Sequence, residues 1–182
     1  RLPAHLIVLG GGYVGLELAQ AYRRFGSRIT IVDRGPRLLK REDEDVSTEV
    51  QRILEAEGIE VVLSTEIEKV EGRSGESVRA TIRTPGGLRT IEGTDILVAA
   101  GRTPNTRGIG LEEAGVALTD RGYIKVNGRL ETTAKGVWAI GECAGSPQFT
   151  HASLDDFRVI RDNLGGGDRT TTGRLMPYCM FI

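Results

Sequence analysis

The residues whose types and spacing point most directly to chemistry are the glycines of Gly10-x-Gly12-x-x-Gly15 and an aspartate, Asp33, 21 positions after Gly12. A glycine-rich turn that opens a helix leaves backbone amides free at the positive end of the helix dipole, which suits the two phosphates of a dinucleotide. Gly10 then allows the tight turn, and Gly12 lets the backbone around Gly11, Tyr13 and Val14 approach a pyrophosphate. Gly15 allows the helix to pack closely on its strand. Asp33 would accept hydrogen bonds from ribose hydroxyls and repel a 2'-phosphate, which favours NAD. Arg34 is adjacent, with Arg37, Lys40 and Arg41 close behind, a basic cluster able to hold that phosphate, so NADP stays open. The bland alternatives are a structural turn and a solvated basic face. Glu17 is the other chemical residue, a carboxylate at the edge of the helix's apolar stripe, unless it is only an acid favoured by the dipole in the first turns.

These residues need a particular scaffold. Leu6 to Leu9 is a fully apolar run ending in glycines, the pattern of a strand buried on both faces of a parallel sheet. After the glycines, Val14, Leu18, Ala21 and Phe25 fall on one side of a helix, with Gln20, Arg23 and Arg24 turned away and Gly26 as its stop. Arg28 to Val32 is a second strand. Asp43 or Asp45 caps a second helix with Val46, Val50, Ile53 and Leu54 inward, and Ile59 to Leu63 is a third strand.

The rhythm then changes. Ile67 to Val70, Val78 to Ile82 and Leu88 to Ile91 are short alternating runs, the last two joined by the turn Thr84-Pro85-Gly86-Gly87, which predicts an antiparallel meander. Asp95 to Ala100 is another buried strand, leading into Gly101-Arg102-Thr103-Pro104-Asn105, where a domain crossing is expected. Beyond it, Leu111 to Val116 suggests a brief helix, and Tyr123 to Val126 and Val137 to Ile140 suggest strands. Gly165-Gly166-Gly167 marks a linker before an orphan strand or tail from Thr170 to Ile182. The expected fold is α/β: a Rossmann-like parallel sheet with helices on both faces, an antiparallel β-meander insertion, and a partial second α/β segment.

Composition narrows the function. The chain has 182 residues, 24 Lys plus Arg against 25 Asp plus Glu, and a formal charge of -1, which argues against broad electrostatic binding of nucleic acid or an anionic membrane. No apolar run approaches the roughly 20 residues of a membrane helix and no signal-peptide order is present, so a cytoplasmic location is expected. Cys143 and Cys179 form no CxxC and no Cys/His metal spacing, so reduced structural thiols and no metal site are expected. With Arg1 at its start and an apolar run at its end, the sequence is expected to be cut from something longer.

Three motifs now carry a resemblance: Gly10-Gly11-Gly12-Tyr13-Val14-Gly15-Leu16-Glu17, Ala99-Ala100-Gly101-Arg102-Thr103-Pro104-Asn105, and Thr133-Ala134-Lys135-Gly136-Val137-Trp138-Ala139-Ile140-Gly141-Glu142. In order and spacing the chain resembles the second half of the pyridine nucleotide-disulfide oxidoreductases, the flavoproteins that include dihydrolipoamide dehydrogenase, glutathione reductase and mercuric reductase. The resemblance implies an NAD(P)-binding domain over residues 1–102 and the C-terminal segment of an FAD-binding domain over 103–164. Residues 165–182 would be a linker and the start of a missing dimerisation domain. It implies that Ile67, Ala100, Gly101 and Arg102 lie along the nicotinamide coenzyme, although Ile67 is equally readable as plain core. Glu142 stands where the family has an aspartate holding a ribityl hydroxyl of FAD. Gln148, Phe149, Thr150 and His151 would border the flavin ring, His151 being alternatively a surface residue beside Asp155 and Asp156. Glu17 would match a glutamate that pairs with a lysine of the FAD domain beside the flavin, where nicotinamide passes hydride.

The family's flavin-phosphate glycine loop, its CxxxxC and its downstream His-Glu pair do not occur in this sequence. The expectation is therefore the nucleotide-binding portion of a homodimeric FAD-dependent enzyme that passes hydride from NAD(P)H to FAD and on to a disulfide or similar acceptor, or the reverse, inactive by itself. Its partners would be NAD(P)H, FAD and the missing domains. The competing reading is a stand-alone nucleotide-binding or redox-sensing module without catalysis. A short-chain dehydrogenase is disfavoured because Tyr13, Tyr22, Tyr123 and Tyr178 all lack a lysine four positions on.

Overall fold

The computed structural model describes residues 1–182, which form two units: Arg1–Gly101 with Cys179–Ile182, and Arg102–Tyr178. In the first unit the order is β1 (His5–Leu9), α1 (Tyr13–Arg24), β2 (Arg28–Val32), α2 (Glu44–Ala56), β3 (Glu60–Val62), β4 (Glu66–Arg73), β5 (Ser77–Thr84), β6 (Gly87–Gly93) and β7 (Asp95–Val98). The parallel strands run β3-β2-β1-β7, and the meander forms a separate antiparallel sheet β4-β5-β6.

Alternate residues of the central strands feed two cores, as the period of a strand requires. Leu6, Val8, Ile29 and Ile31 meet Leu16 and Ala19 of α1 and Val50 and Leu54 of α2 on one face. Ile7, Leu9 and Val32 meet Val78, Ala80, Ile82 and Ile91 of the meander on the other. The α/β class with a parallel sheet and a meander is as expected, but the helices differ in placement. Both α1 and α2 lie on one face, and the meander covers the face where more helices were expected. Its alternating strands offer an apolar side, so the sheet is buried without them.

The inward side of α1 also differs from the expected one. Gly15, Leu16, Ala19 and Gln20 are buried, whereas Val14 is 62% and Phe25 71% exposed. Small residues let the helix come close to the sheet, and Leu16 fills the remaining space, a burial that contributes about 1.5–3 kcal/mol. Gln20, only 2% exposed, is satisfied because its amide donates to Glu57 Oε1 at 3.0 Å, just beyond α2. Arg23 Nε donates to the Glu57 carbonyl at 2.6 Å, so the C-terminal ends of α1 and α2 are tied together.

The second unit has less regular structure than expected. Leu111–Val116 makes turns rather than a helix, and the strands expected at Tyr123–Val126 and Val137–Ile140 are only isolated bridges, Leu118 to Ile124, Val126 to Thr132 and Glu131 to Trp138. Thr170–Ile182 contains no strand. A short 3-10 turn, Gly141–Ala144, precedes a helix that the sequence did not reveal, α3 (Thr150–Leu164). Its inward side is Ala152, Asp156 and Val159. The fully buried Asp156 accepts from the Gly141 N–H at 2.7 Å and from Arg174 Nη1 at 2.5 Å, so the carboxylate is neither unpaired nor unsatisfied. No helix is long and apolar enough to cross a membrane.

At the N-terminal edge of the parallel sheet sits a polar chain whose His5–Thr30 centre is buried. Thr30 donates its hydroxyl to Glu60 Oε2 at 2.9 Å and lies 2.9 Å from His5 Nε2, so the ring presents Nε2–H to Thr30. His5 Nδ1 then faces Arg28 Nη2 at 2.7 Å and the Glu92 carbonyl at 2.6 Å. Burial, and then the Arg28 charge, hold the His5 pKa below its ordinary 6.5, against the opposing pull of the Glu92 carbonyl and Glu60. On Glu60 itself burial pushes the pKa up, but hydrogen bonds from Arg89 and Thr30 outweigh it, and the net shift is below 4.5. Both signs give stability that rises with pH. The His5 contribution is complete above 6.5 and is lost as pH falls from there through the lower folded-state value, while that of Glu60 is lost only below 4.5. Urea unfolding from about pH 7.5 to 5 should show declining stability in the parent and a flatter profile in His5→Gln. Parallel profiles would mean that the ring does not titrate against folding.

Candidate functional site

The chain runs from β1 outward through β2 to β3, then returns to the other side of β1 as β7. Connections therefore diverge at the C-terminal ends of β1 and β7, the place at which open α/β sheets bind ligands. Gly10 N–H donates to the Val32 carbonyl and Ala99 N–H to the Leu9 carbonyl, so the loops after β1, β2 and β7 meet there.

The glycines divide by function. A Cβ on Gly15 would stand 2.1 Å from the Gly10 carbonyl oxygen, and one on Gly10, whose φ is +112°, would stand 2.5 Å from the Ala99 oxygen. These two allow helix, strand and loop to touch. Gly12 is exposed, and a Cβ there would meet nothing within 4 Å. It is the N-cap of α1, supplies no side-chain cap, and is followed by no acidic residue in the first turn. The first helical bond runs from Leu16 N–H to the Gly12 carbonyl, so the Val14 and Gly15 amides lie ahead of the intrahelical ladder. An anion at this end would meet backbone donors and no carboxylate from the helix's own first turn.

Asp33, half-buried, does more than the sequence suggested. Its Oδ2 accepts from the Gly11 N–H and its Oδ1 from the Gly35 N–H, both at 2.6 Å, which ties the glycine turn to the loop after β2. Leu39 N–H donates back to the Gly11 carbonyl at 2.9 Å, the buried Leu38 lies under Gly11, and the Tyr13 hydroxyl donates to Glu42. Sequence reading missed Leu38, Leu39 and Glu42, because an apolar pair in a charged loop carries no periodic signal. Arg34, Lys40 and Arg41 are exposed around this latch, and the Arg37 guanidinium reaches the Lys40 carbonyl at 3.4 Å.

Ala100 borders Gly10 through its backbone, and Gly101 follows with φ +122°. Ile67 packs against the core between sheet and meander. Glu17 is partly buried on α1, and its Oε1 accepts from the Phe181 N–H at 3.0 Å.

In the second unit Arg102 and Glu142 pair at 2.7 Å, both substantially solvent-exposed, and α3 begins after Gln148 and Phe149. Phe149 stacks on His151, with centroids 5.2 Å apart and planes 19° apart, and on Tyr178 at 5.5 Å and 13°. His151 therefore lies in a three-ring stack, whereas Asp155 and Asp156 pair with Arg174 and Asp155 also with Arg169. The stacking of Tyr178 on Phe149 and the pairing of Asp156 with Arg174 have no local signal in the sequence; nothing marks a distant ring or an arginine 18 residues away as a partner. Thr150 and Gln148 are exposed at the helix start.

The model of the family described as "Pyridine nucleotide-disulphide oxidoreductase" matches residues 1–156. The probable pyridine nucleotide-disulfide oxidoreductase RclA of Escherichia coli (strain K12) is 38% identical over 184 residues, covering 100% of this chain and 41% of that protein. A mercuric reductase of Streptomyces lividans is 38% identical over 182 residues, covering 100% of this chain and 38% of its own length. Among solved structures, the Cu(II) complex of a mutant of the HOCl-induced flavoprotein disulfide reductase RclA from Escherichia coli superposes with a TM-score of 0.90 at 37% identity, covering 100% of this chain and 41% of that one. The chain thus spans about two fifths of the length of these relatives.

The glycine geometry separates binding from folding. Gly12→Val should keep the melting temperature within about 2 °C and weaken NADH by about 10-fold or more, whereas Gly15→Ala should cost about 1–3 kcal/mol of stability. Thermal melts with calorimetric titration check both, and a Gly12→Val chain that binds NADH like the parent would remove the phosphate assignment. The double use of Asp33 changes what its loss should do. Asp33→Asn replaces one acceptor oxygen with a donor, so NADH and NADPH should weaken together; tightened NADPH alongside weakened NADH would mean that ribose reading dominates.

Proposed function

The chain belongs to the pyridine nucleotide-disulphide oxidoreductase family, and from that premise we propose that residues 1–102 are the NAD(P)H-binding portion of an FAD-dependent oxidoreductase. Residues 103–164 complete its FAD-binding domain, and 165–182 lead towards a domain through which the parent forms a homodimer. The observation that carries this reading is the start of α1: an open Gly12 at the N-cap, no side-chain cap and no acid in the first turn. A pyrophosphate fits that chemistry.

When bound, the nicotinamide coenzyme supplies a hydride and the flavin accepts it, for delivery to a disulfide or similar acceptor, or the same path in reverse. The residues of this chain bind and orient. The Tyr13, Val14 and Gly15 amides hold phosphate charge at the positive helix end. Asp33 fixes the glycine turn and presents its remaining lone pairs to the ribose, while Arg34 and its basic neighbours stand where a 2'-phosphate would lie. The backbone of Ala100 and Gly101 borders the C-terminal ends of β1 and β7 and aligns the coenzyme there. Glu17 carries negative charge on the same helix and pairs with a cation at the nicotinamide end. Glu142 has, beyond its Arg102 partner, acceptor capacity for a ribityl hydroxyl, and the Gln148–His151 turn with its stacked rings offers a flat border for the flavin.

The test is a calorimetric titration of this chain with NADH and with NADPH at matched ionic strength. Saturable one-to-one binding of either is the expected result. Tighter NADH would give the choice to Asp33, tighter NADPH to the basic cluster, and no binding by a chain with native circular dichroism would overturn the reading.

A further inference from the structure

The nucleotide-binding unit is not one continuous stretch: Cys179–Ile182 belong to it although all of Arg102–Tyr178 intervenes. Met180 and Ile182 pack against the helix-side core of Leu16, Ala19 and their neighbours. Phe181 between them turns its ring to solvent, 76% exposed. This alternation is that of an extended segment with two side chains anchored inward. What Phe181 gives the unit is its peptide N–H, which donates to Glu17 Oε1 at 3.0 Å. Glu17 lies four residues after Tyr13, about 6 Å along the helix from the amides that face phosphate. Unheld, a glutamate on a helix surface samples several rotamers. With one oxygen on a backbone donor whose flanking residues are packed, the carboxylate has one preferred direction and its second oxygen remains for a cation.

We propose that the Phe181 N–H is a positioning donor for Glu17, so that residues 179–182 complete the chemistry of the nucleotide-binding unit by acting through that carboxylate rather than by touching the coenzyme. The inference rests on the reading of Glu17 given above. The experiment separates positioning of the carboxylate from a purely structural tether.

The first readout is amide hydrogen exchange at Phe181 in the 182-residue chain. Glu17→Ala should speed it by about 10-fold or more relative to the parent, and Glu17→Gln, which keeps an acceptor oxygen, should restore most of the protection. Equal exchange in the parent and Glu17→Ala would overturn the proposal. The second readout is single-turnover hydride transfer to the flavin in the flavin-loaded parent. Phe181→Pro, which lacks the donor, should react about 10-fold more slowly than Phe181→Ala, which keeps it, at similar coenzyme affinity. On a Glu17→Ala background the Pro and Ala variants should react alike. A difference that persists there would assign the segment a purely structural role and overturn the proposal. If Phe181→Pro fails to fold, the exchange comparison alone decides whether the donor holds the carboxylate. Protected exchange combined with a Glu17→Ala enzyme of parental rate would instead refute the reading of Glu17, and positioning would fall with it, an outcome distinct from the loss of the hydrogen bond.

Discussion

Everything in the first unit depends on how near α1 stands to β1. With only 2.1 Å between the place of a Gly15 Cβ and the Gly10 oxygen, no side chain can separate helix from strand. That closeness brings the helix start onto the C-terminal ends of β1 and β7. It also explains why the inward side of α1 is made of Gly15, Leu16, Ala19 and Gln20 rather than of its larger apolar residues. A helix held further off would carry its first amides away from the sheet edge.

The polar groups around this core fall into two kinds. Asp33, Tyr13 and Leu39 fasten the loop after β2 onto the glycine turn, so its backbone is shaped before any ligand arrives, and preorganisation of this kind reduces the entropy lost on binding. At the opposite edge of the sheet, His5, Thr30 and Glu60 link adjacent strands through hydrogen bonds. Surface pairs such as Arg52 with Glu49 and Lys69 with Glu71 are exposed and contribute little beside these.

Much of this was legible in the sequence, for identifiable reasons. Leu6–Leu9 and Arg28–Val32 announce buried strands because apolar runs cut by glycine or charge have few other uses, and the meander follows from alternation and the Pro85-Gly86 turn. The glycine turn and Asp33 were legible because their spacing is set by the geometry of one loop. The packing face of α1 was not, since close packing selects small residues that carry no hydropathy signal. Nor was α3, whose inward side includes Asp156, a carboxylate that only the distant Arg174 and Gly141 make tolerable. The second unit misled in the opposite sense: Val137–Ile140 has the composition of a strand, but only isolated bridges form there.

The discontinuity of the first unit also has a timetable. Strand β1 cannot find β7 until some 90 residues have been made, a non-local pairing of the kind that slows folding. Residues 179–182 come later still. At synthesis rates of about 5–20 residues per second they emerge on the order of 4–17 s after β7. On the ribosome, the nucleotide unit therefore spends seconds with its sheet closed and the Met180 and Ile182 places on its helix-side core unfilled. During that interval the patch is exposed apolar surface, open to chaperones and to neighbouring nascent chains.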